Sequence, residues 1–296
     1  MSAPTIRKHL GNLDAFLSHV RASGYLIADW SLKSLRPRKP KAGTLRLMQV
    51  KPTPDQVRPI FDLPVFTGCQ DAMKREVPGE AVFHSGVYYL LMLYAYLGAR
   101  RFEFAGLTTE DVFDTPDGPA IHIRANDLRA IKNAKSDRTL PVPPEVLRLG
   151  FLEYVATIRG LGYKNLFPEL FSNLLKTNDP GDRFYKDFTP LLKASSQFSQ
   201  GIWERAIHAL RHGFSDTLKQ AGVDSPIIDD ISGRVGTSET ALRYTNVAGL
   251  PLIKRQLEKY PNITAHLVQK PIRLLPWVER RELPPWAGKK AGDRFH

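Results

Sequence analysis

The chain has 296 residues, enough for one large domain or two smaller ones with a real core. Its hydrophobic share of 42% and charged share of 24% are those of a soluble globular protein, but the net charge of +12 points to a polyanionic partner, nucleic acid ahead of an anionic membrane. One cysteine, Cys69, excludes an intramolecular disulfide; without a CxxC pair, a cysteine zinc site or redox motif has no support, and a reducing cytoplasm fits.

Residues 1–10 lack the apolar stretch of a signal peptide. Ile6, Leu10, Leu13, Phe16, Leu17 and Val20 stand at helical spacing and predict one amphipathic helix. The segment 31–51, with Pro37, Pro40 and Gly43, reads as a linker. Residues 1–52 hold ten Lys or Arg against two Asp, a charge that can neutralise phosphates or simply be solvated. Thr53-Pro54-Asp55-Gln56 is a helix start of the capping-box kind, and the main domain boundary is placed just before it. A strongly apolar helix follows, 81–97, ending at Gly98; its run from Val87 to Leu97 is too short to span a bilayer.

Residues 120–124 and 139–142 read as short strands joined by a polar turn, 126–137. Pro143-Pro144-Glu145 opens a helix to about Arg159. Trp203 to Gln220 is a long amphipathic helix closed by Gly222, and 226–233 is a short helix or turn. Residues 237–244 and 250–259 are further helical pieces, and the Pro- and Arg-rich tail after Pro261 reads as extended. The fold class is α+β: a mostly helical domain with a small antiparallel β-hairpin or sheet, preceded by a short helical segment. The expected organisation is residues 1–50, 51–248 and 249–296.

Three clusters carry chemistry: Gly98-Ala99-Arg100-Arg101-Phe102-Glu103, His208-Ala209-Leu210-Arg211-His212, and Leu242-Arg243-Tyr244. Each alone has an ordinary structural reading. Together they share a logic. A phosphodiester under attack gathers negative charge that two arginines can clamp through bidentate bonds. A tyrosine hydroxyl needs cationic surroundings or a nearby base to act as a nucleophile at neutral pH, and histidine is the natural base. A lysine in a hairpin turn can protonate the leaving oxygen.

Gly-x-Arg-x-x-Glu, His-x-x-Arg and a downstream Tyr, in this order, resemble the tyrosine recombinase (phage integrase) family over about residues 53–246. The resemblance implies Arg100 and Arg211 as phosphate clamps, Glu103 as the supporting carboxylate, and His208 as the base or its partner. It implies Lys132 as the general acid, with Lys135 as the other candidate, and Tyr244 as the nucleophile forming a 3′-phosphotyrosyl link. It further implies double-stranded DNA as partner, a homotetramer on that DNA, no cofactor and no metal. Residues 1–30 resemble only the last part of the helical DNA-gripping region found in such proteins, so that 1–50 reads as a reduced form of it with a basic linker. The family usually carries His or Trp where Ile231-Ser232-Gly233-Arg234 stands here, so Arg234 is either a third phosphate donor or a surface residue in a shifted loop. The helix after the nucleophile, 250–259, is a candidate for docking onto a second protomer or for folding back on its own core. Two rival functions share these residues: a DNA-binding protein that has lost activity, and a type IB topoisomerase. No Walker or Gly-x-Ser-x-Gly motif is present.

Overall fold

A computed structural model describes residues 1–28, 31–37, 51–127, 129, 131, 136–171, 179–198, 201–234 and 247–287. The chain divides into two compact units, 1–49 and 50–296. The first is built around helix α1, Ala3–Ala22, capped by the Ser2 hydroxyl on the Thr5 amide at 3.4 Å. An ion pair joins Asp14 of α1 to Arg36.

The second unit begins at the expected capping box. The Thr53 hydroxyl accepts from the Gln56 amide, and the Gln56 side chain returns to the Thr53 amide at 3.0 Å, starting α2, Pro54–Val57. After α3, Pro64–Thr67, comes the central helix α4, Gly86–Leu97, every residue of which is buried. The sequence expectation began this helix at 81. Ser85 is instead its N-cap, and the residue before it, His84, lies outside the helix and donates its amide to the Arg273 carbonyl at 2.8 Å. An all-round apolar run does not reveal where helix yields to extended chain.

Helix α5, Arg101–Ala105, leads into a three-stranded antiparallel sheet of β1, Val112–Thr115, β2, Gly118–Ile123, and β3, Arg138–Pro141. Its register pairs Val112 with Ile121, and Ile121 with Leu140. Strand β1 was not foreseen; Val112-Phe113-Asp114-Thr115 is too short for alternation to register. The helix expected over 144–159 is two, α6, Pro144–Arg148, and α7, Phe151–Gly160, broken at Gly150. Helix α8, Pro180–Lys193, with Pro190 inside it, has no counterpart in the sequence reading. Helices α9, Ala206–Gln220, and α10, Ser225–Ser232, stand close to their expected places.

A further helix, Leu250–Leu257, buries Ile253 and Leu257, and the tail beyond it contributes Tyr260, Ile263, Leu267, Leu274, Leu275, Trp277 and Val278 to the same core. That tail is not simply extended: it contains a helical turn at Pro276–Glu279. Its proline content hid a regular apolar supply. Among the described residues no helix is long and apolar enough to cross a membrane.

Candidate active site

Helix α4 ends at Gly98 in the left-handed conformation, φ +59°, which glycine adopts without steric cost. A β-carbon there would lie 2.3 Å from the Phe214 ring of α9, so this glycine also lets α4 and α9 approach closely. That approach sets Arg100, just past Gly98, opposite Arg211 on α9. Both line one open basin of about 510 Å³, together with Arg101, Tyr185, Glu204, Arg205, Ile207, His208 and Ala99.

Arg100 is the N-cap of α5. Its amide donates to Glu103 Oε2 at 2.9 Å, and its Nη1 donates to Glu103 Oε1 at 2.7 Å and to Ser136 Oγ at 3.1 Å. Arg211 is buried and spends Nη1 on two backbone carbonyls, Gly98 at 2.7 Å and Ser232 at 2.5 Å. Among the described residues, the Nε and Nη2 of both arginines make no bond. The Nε/Nη2 edge is a fork able to bind two oxygens of one phosphate.

Electrostatics favour an anion here. Burial, then Arg234 and Arg100, push the Arg211 guanidinium down to about 9, with Glu103 opposing them; it is charged at neutral pH and short of negative partners. Burial raises the Glu103 carboxyl, but Arg138 and the bonds from Arg138 and Arg100 outweigh it and hold Glu103 below the usual carboxylate range. Glu103 is therefore an anion shared between a buried arginine and one that faces the basin.

His208 is exposed on α9, and its Nε2 lies 3.0 Å from Nε2 of His212, with the rings edge to face. Burial, then Arg205, Arg211 and Arg234, lower the His208 imidazole; burial, then His208, Arg234, Arg211 and Lys51, push His212 down to about 4. In the short contact one ring must donate and the other accept. Arg234 follows α10, whose last turn closes at Gly233, φ +66°. Its amide bonds to Asp229 O at 2.9 Å, and its Nη2 reaches Arg211 O at 3.5 Å. Burial lowers this guanidinium first, with Asp229 opposing and Arg100 adding to the effect. Arg234 lines a second hollow of about 220 Å³ with Lys51 and His212, beside the main basin.

Arg100, Glu103, His208, Arg211 and Arg234 are thus brought together. Lys132, Lys135 and Tyr244 lie outside the described residues. Their flanks can be placed: Ser136 touches Arg100, and Ser232, which precedes the segment carrying Tyr244, touches Arg211.

Several contributors were missed in the sequence. Arg101 sits beside Arg100 but turns to Asp179 and Asp182, at 2.8 and 2.7 Å, at the start of α8. Tyr185 of α8 accepts from the Ile207 amide at 3.3 Å and so caps the entry to α9. Nothing in the local sequence signals either contact. Arg138, which follows Asp137 at the head of β3, likewise carries no local signal of its burial.

The architecture matches solved structures. The Tn1549 transposon integrase in complex with transposon right end DNA aligns at TM-score 0.50 and 19% identity, covering 88% of this chain and 80% of that one. The fold is shared with the tyrosine recombinases. The same integrase with circular intermediate DNA aligns at TM-score 0.49 and 18% identity, over 87% and 79% of the two chains. XerA recombinase aligns at 0.43 and 18%, over 82% and 75%. No protein-family model and no curated protein sequence matches the chain. The tyrosine-recombinase fold expected from three short motifs is the one found, and its helices α4 and α9 hold the basin.

Proposed function

We propose that this chain is a site-specific DNA recombinase that cuts and rejoins DNA through a 3′-phosphotyrosyl intermediate on Tyr244. The observation that carries the reading is the matched use of Arg100 and Arg211. Each fixes its guanidinium through Nη1, has no bond at Nε or Nη2 among the described residues, and lines the same cationic basin. Two such forks stabilise charge that grows on the non-bridging oxygens of a phosphodiester under attack.

In this reading Tyr244 attacks phosphorus and the 5′-oxygen leaves. His208 receives the tyrosine proton, directly or through His212; its lowered affinity for protons keeps the ring neutral, as a base must be. Lys132, or Lys135, protonates the leaving 5′-oxygen. Arg234 adds a third donor and more positive charge, easing formation of the tyrosinate. The bond energy is held in the phosphotyrosine, so strand rejoining needs no nucleotide cofactor. The partner is double-stranded DNA, and strand exchange between two duplexes calls for four protomers.

The test is a suicide DNA substrate, nicked so that the cleaved end diffuses away, followed by a denaturing gel. The wild-type chain should form a covalent adduct, and Tyr244→Phe, which keeps the ring and removes the hydroxyl, should bind equally and form none. An adduct that persists in the Phe variant refutes Tyr244 as nucleophile. Binding without any adduct in the wild type would favour a DNA-binding protein without activity, and relaxation of supercoils without recombinant product would favour a topoisomerase.

A further inference from the structure

Arg138, at the head of β3, is 2% exposed and uses all three guanidinium nitrogens. Nε donates to the Ile231 carbonyl at 2.9 Å, Nη1 to the Ser136 carbonyl at 3.0 Å, and Nη2 to Glu103 Oε2 at 2.9 Å. Those three partners belong to three separate parts of the site. Glu103 orients Arg100. Ser136 is the foot of the β2–β3 connection and holds Arg100 a second time through its hydroxyl. Ile231 adjoins Ser232, whose carbonyl anchors Arg211. A β-carbon at Gly233 would come within 2.4 Å of Arg138 Nη1, so backbone closes over the guanidinium and leaves it one position.

We infer that Arg138 is a positioning residue for the phosphate clamp: one planar cation locks the Glu103 carboxylate, the hairpin foot and the end of α10 in register, so that the Arg100 and Arg211 forks converge on a single phosphate. The inference rests on the recombinase reading above. Geometry explains why arginine is required. Three donors must point in three in-plane directions from one centre, which a guanidinium provides; a lysine ammonium carries its three donors on one tetrahedral nitrogen. The cation also neutralises Glu103, which would otherwise draw Arg100 wholly to itself. Arg138 is walled off from the basin and touches no substrate, so its effect passes through Arg100 and Arg211.

The experiment compares wild type, Arg138→Lys, Arg138→Gln and Arg100→Lys on two suicide substrates. One carries an ordinary scissile phosphate. The other carries a methylphosphonate there, which lacks the negative charge the clamp neutralises. Single-turnover cleavage, DNA affinity and thermal unfolding are measured on each protein. On the phosphate substrate the Arg138 variants should cleave about 10- to 100-fold more slowly, the usual loss when a supporting partner is removed, with affinity within about twofold. On the methylphosphonate their deficit should shrink to about threefold or less, in parallel with Arg100→Lys, because the demand for a converged clamp has gone. Loss of fold alone would slow both substrates equally and lower the unfolding temperature in proportion; that pattern, or cleavage at the wild-type rate, overturns the inference. If Arg138→Gln does not fold, Arg138→Lys, which keeps the buried positive charge beside Glu103 and loses the planar three-way fork, carries the test and should show the same substrate dependence. A wild-type chain that forms no adduct on either substrate overturns the recombinase reading itself, whereas active wild type with indifferent Arg138 variants overturns this inference alone.

Discussion

Two kinds of arginine surround Glu103, and they use the same side chain in opposite ways. Arg129 and Arg138 are fully enclosed and satisfied on every nitrogen: Arg129 donates to the Arg124 carbonyl at 2.6 Å, the Glu103 carbonyl at 2.9 Å and Asp111 Oδ2 at 3.1 Å. Among the described residues, Arg100 and Arg211 each commit one guanidinium nitrogen to the protein, and both line the basin. Residue type, charge and sequence neighbourhood hardly distinguish the two pairs. What separates function from support is the count of donors left over, since a buried cation must be paired and an incompletely paired one is set to receive an anion.

The comparison can be broken most forcefully at Arg129. Replacement by Met leaves Asp111 Oδ2, among the described residues, only the Thr108 amide while Arg124 still holds Oδ1, and strips the Arg124 and Glu103 carbonyls of a donor; together this should cost about 3–5 kcal/mol of stability in denaturant unfolding. If Arg129→Met unfolds like the wild type, the enclosed arginines are not structural. Pairing it with Asp111→Asn should restore part of the loss.

The open arginines should respond in the other currency, rate. Arg100→Lys and Arg211→Lys keep the charge and lose the planar fork, so single-turnover cleavage should fall by about 100- to 1000-fold with DNA affinity changed far less. Measured against Arg129→Met, the open arginines should lose rate without stability and Arg129 stability, with Arg138, which supports the clamp from inside, standing between them. Equal losses of both in all variants would erase the distinction.

A buried carboxylate to which no arginine is bonded among the described residues sharpens it. Glu169 accepts from the Gly86 amide at the start of α4, while its Oε2 has no hydrogen-bond partner among the described residues. Burial raises it to about 7 from an ordinary 4.5, the reverse of Glu103. The folded protein thus holds a proton that the unfolded chain has already released, and stability should fall as pH rises from 4.5 to about 7, then level off. Glu169→Gln should abolish that fall and stabilise the protein by up to about 3 kcal/mol at pH 8, with little change at pH 4. Parallel unfolding curves for the two proteins at both pH values would show that Glu169 is ionised and paired after all.

The smallest effect concerns Arg234, which lies between the two classes, half-buried and bonded weakly. As a third donor to the phosphate it is worth about one charged hydrogen bond, so Arg234→Ala should slow cleavage by about 10-fold, and Arg234→His should recover part of that. An unchanged rate in the bound complex, with only a flatter salt dependence of affinity, would place Arg234 on distant DNA backbone instead.

Much of this was legible in order along the chain. The capping box at Thr53, the stop at Gly98, helix α9 and the short helix before Gly233 follow from local rules, because capping, left-handed glycine and amphipathic period act over a few residues. The grouping of Arg100, Glu103, His208 and Arg211 came from three motifs read together. Less was legible where structure depends on distant partners: strand β1 exists because β2 offers a ladder, α8 because α4 and α5 cover it, and the packed tail because the core has room for Trp277 and Leu275.

The sequence by itself determined which chemistry is present: the arginines, the histidine pair, the glycine that lets two helices meet, and the tyrosine downstream. Only the tertiary structure decided which arginines are open. Arg100 and Arg101 are adjacent and line the same basin, yet one is paired with Glu103 three residues on while the other is captured by Asp179 and Asp182, some 80 residues away. Arg138 is a surface-type residue in any local reading and becomes a buried support because Glu103 and the Ile231 carbonyl arrive from either side. The reason is physical: a guanidinium carries five donors in a rigid plane, and how many are spent depends on acceptors that sequence distance does not reveal.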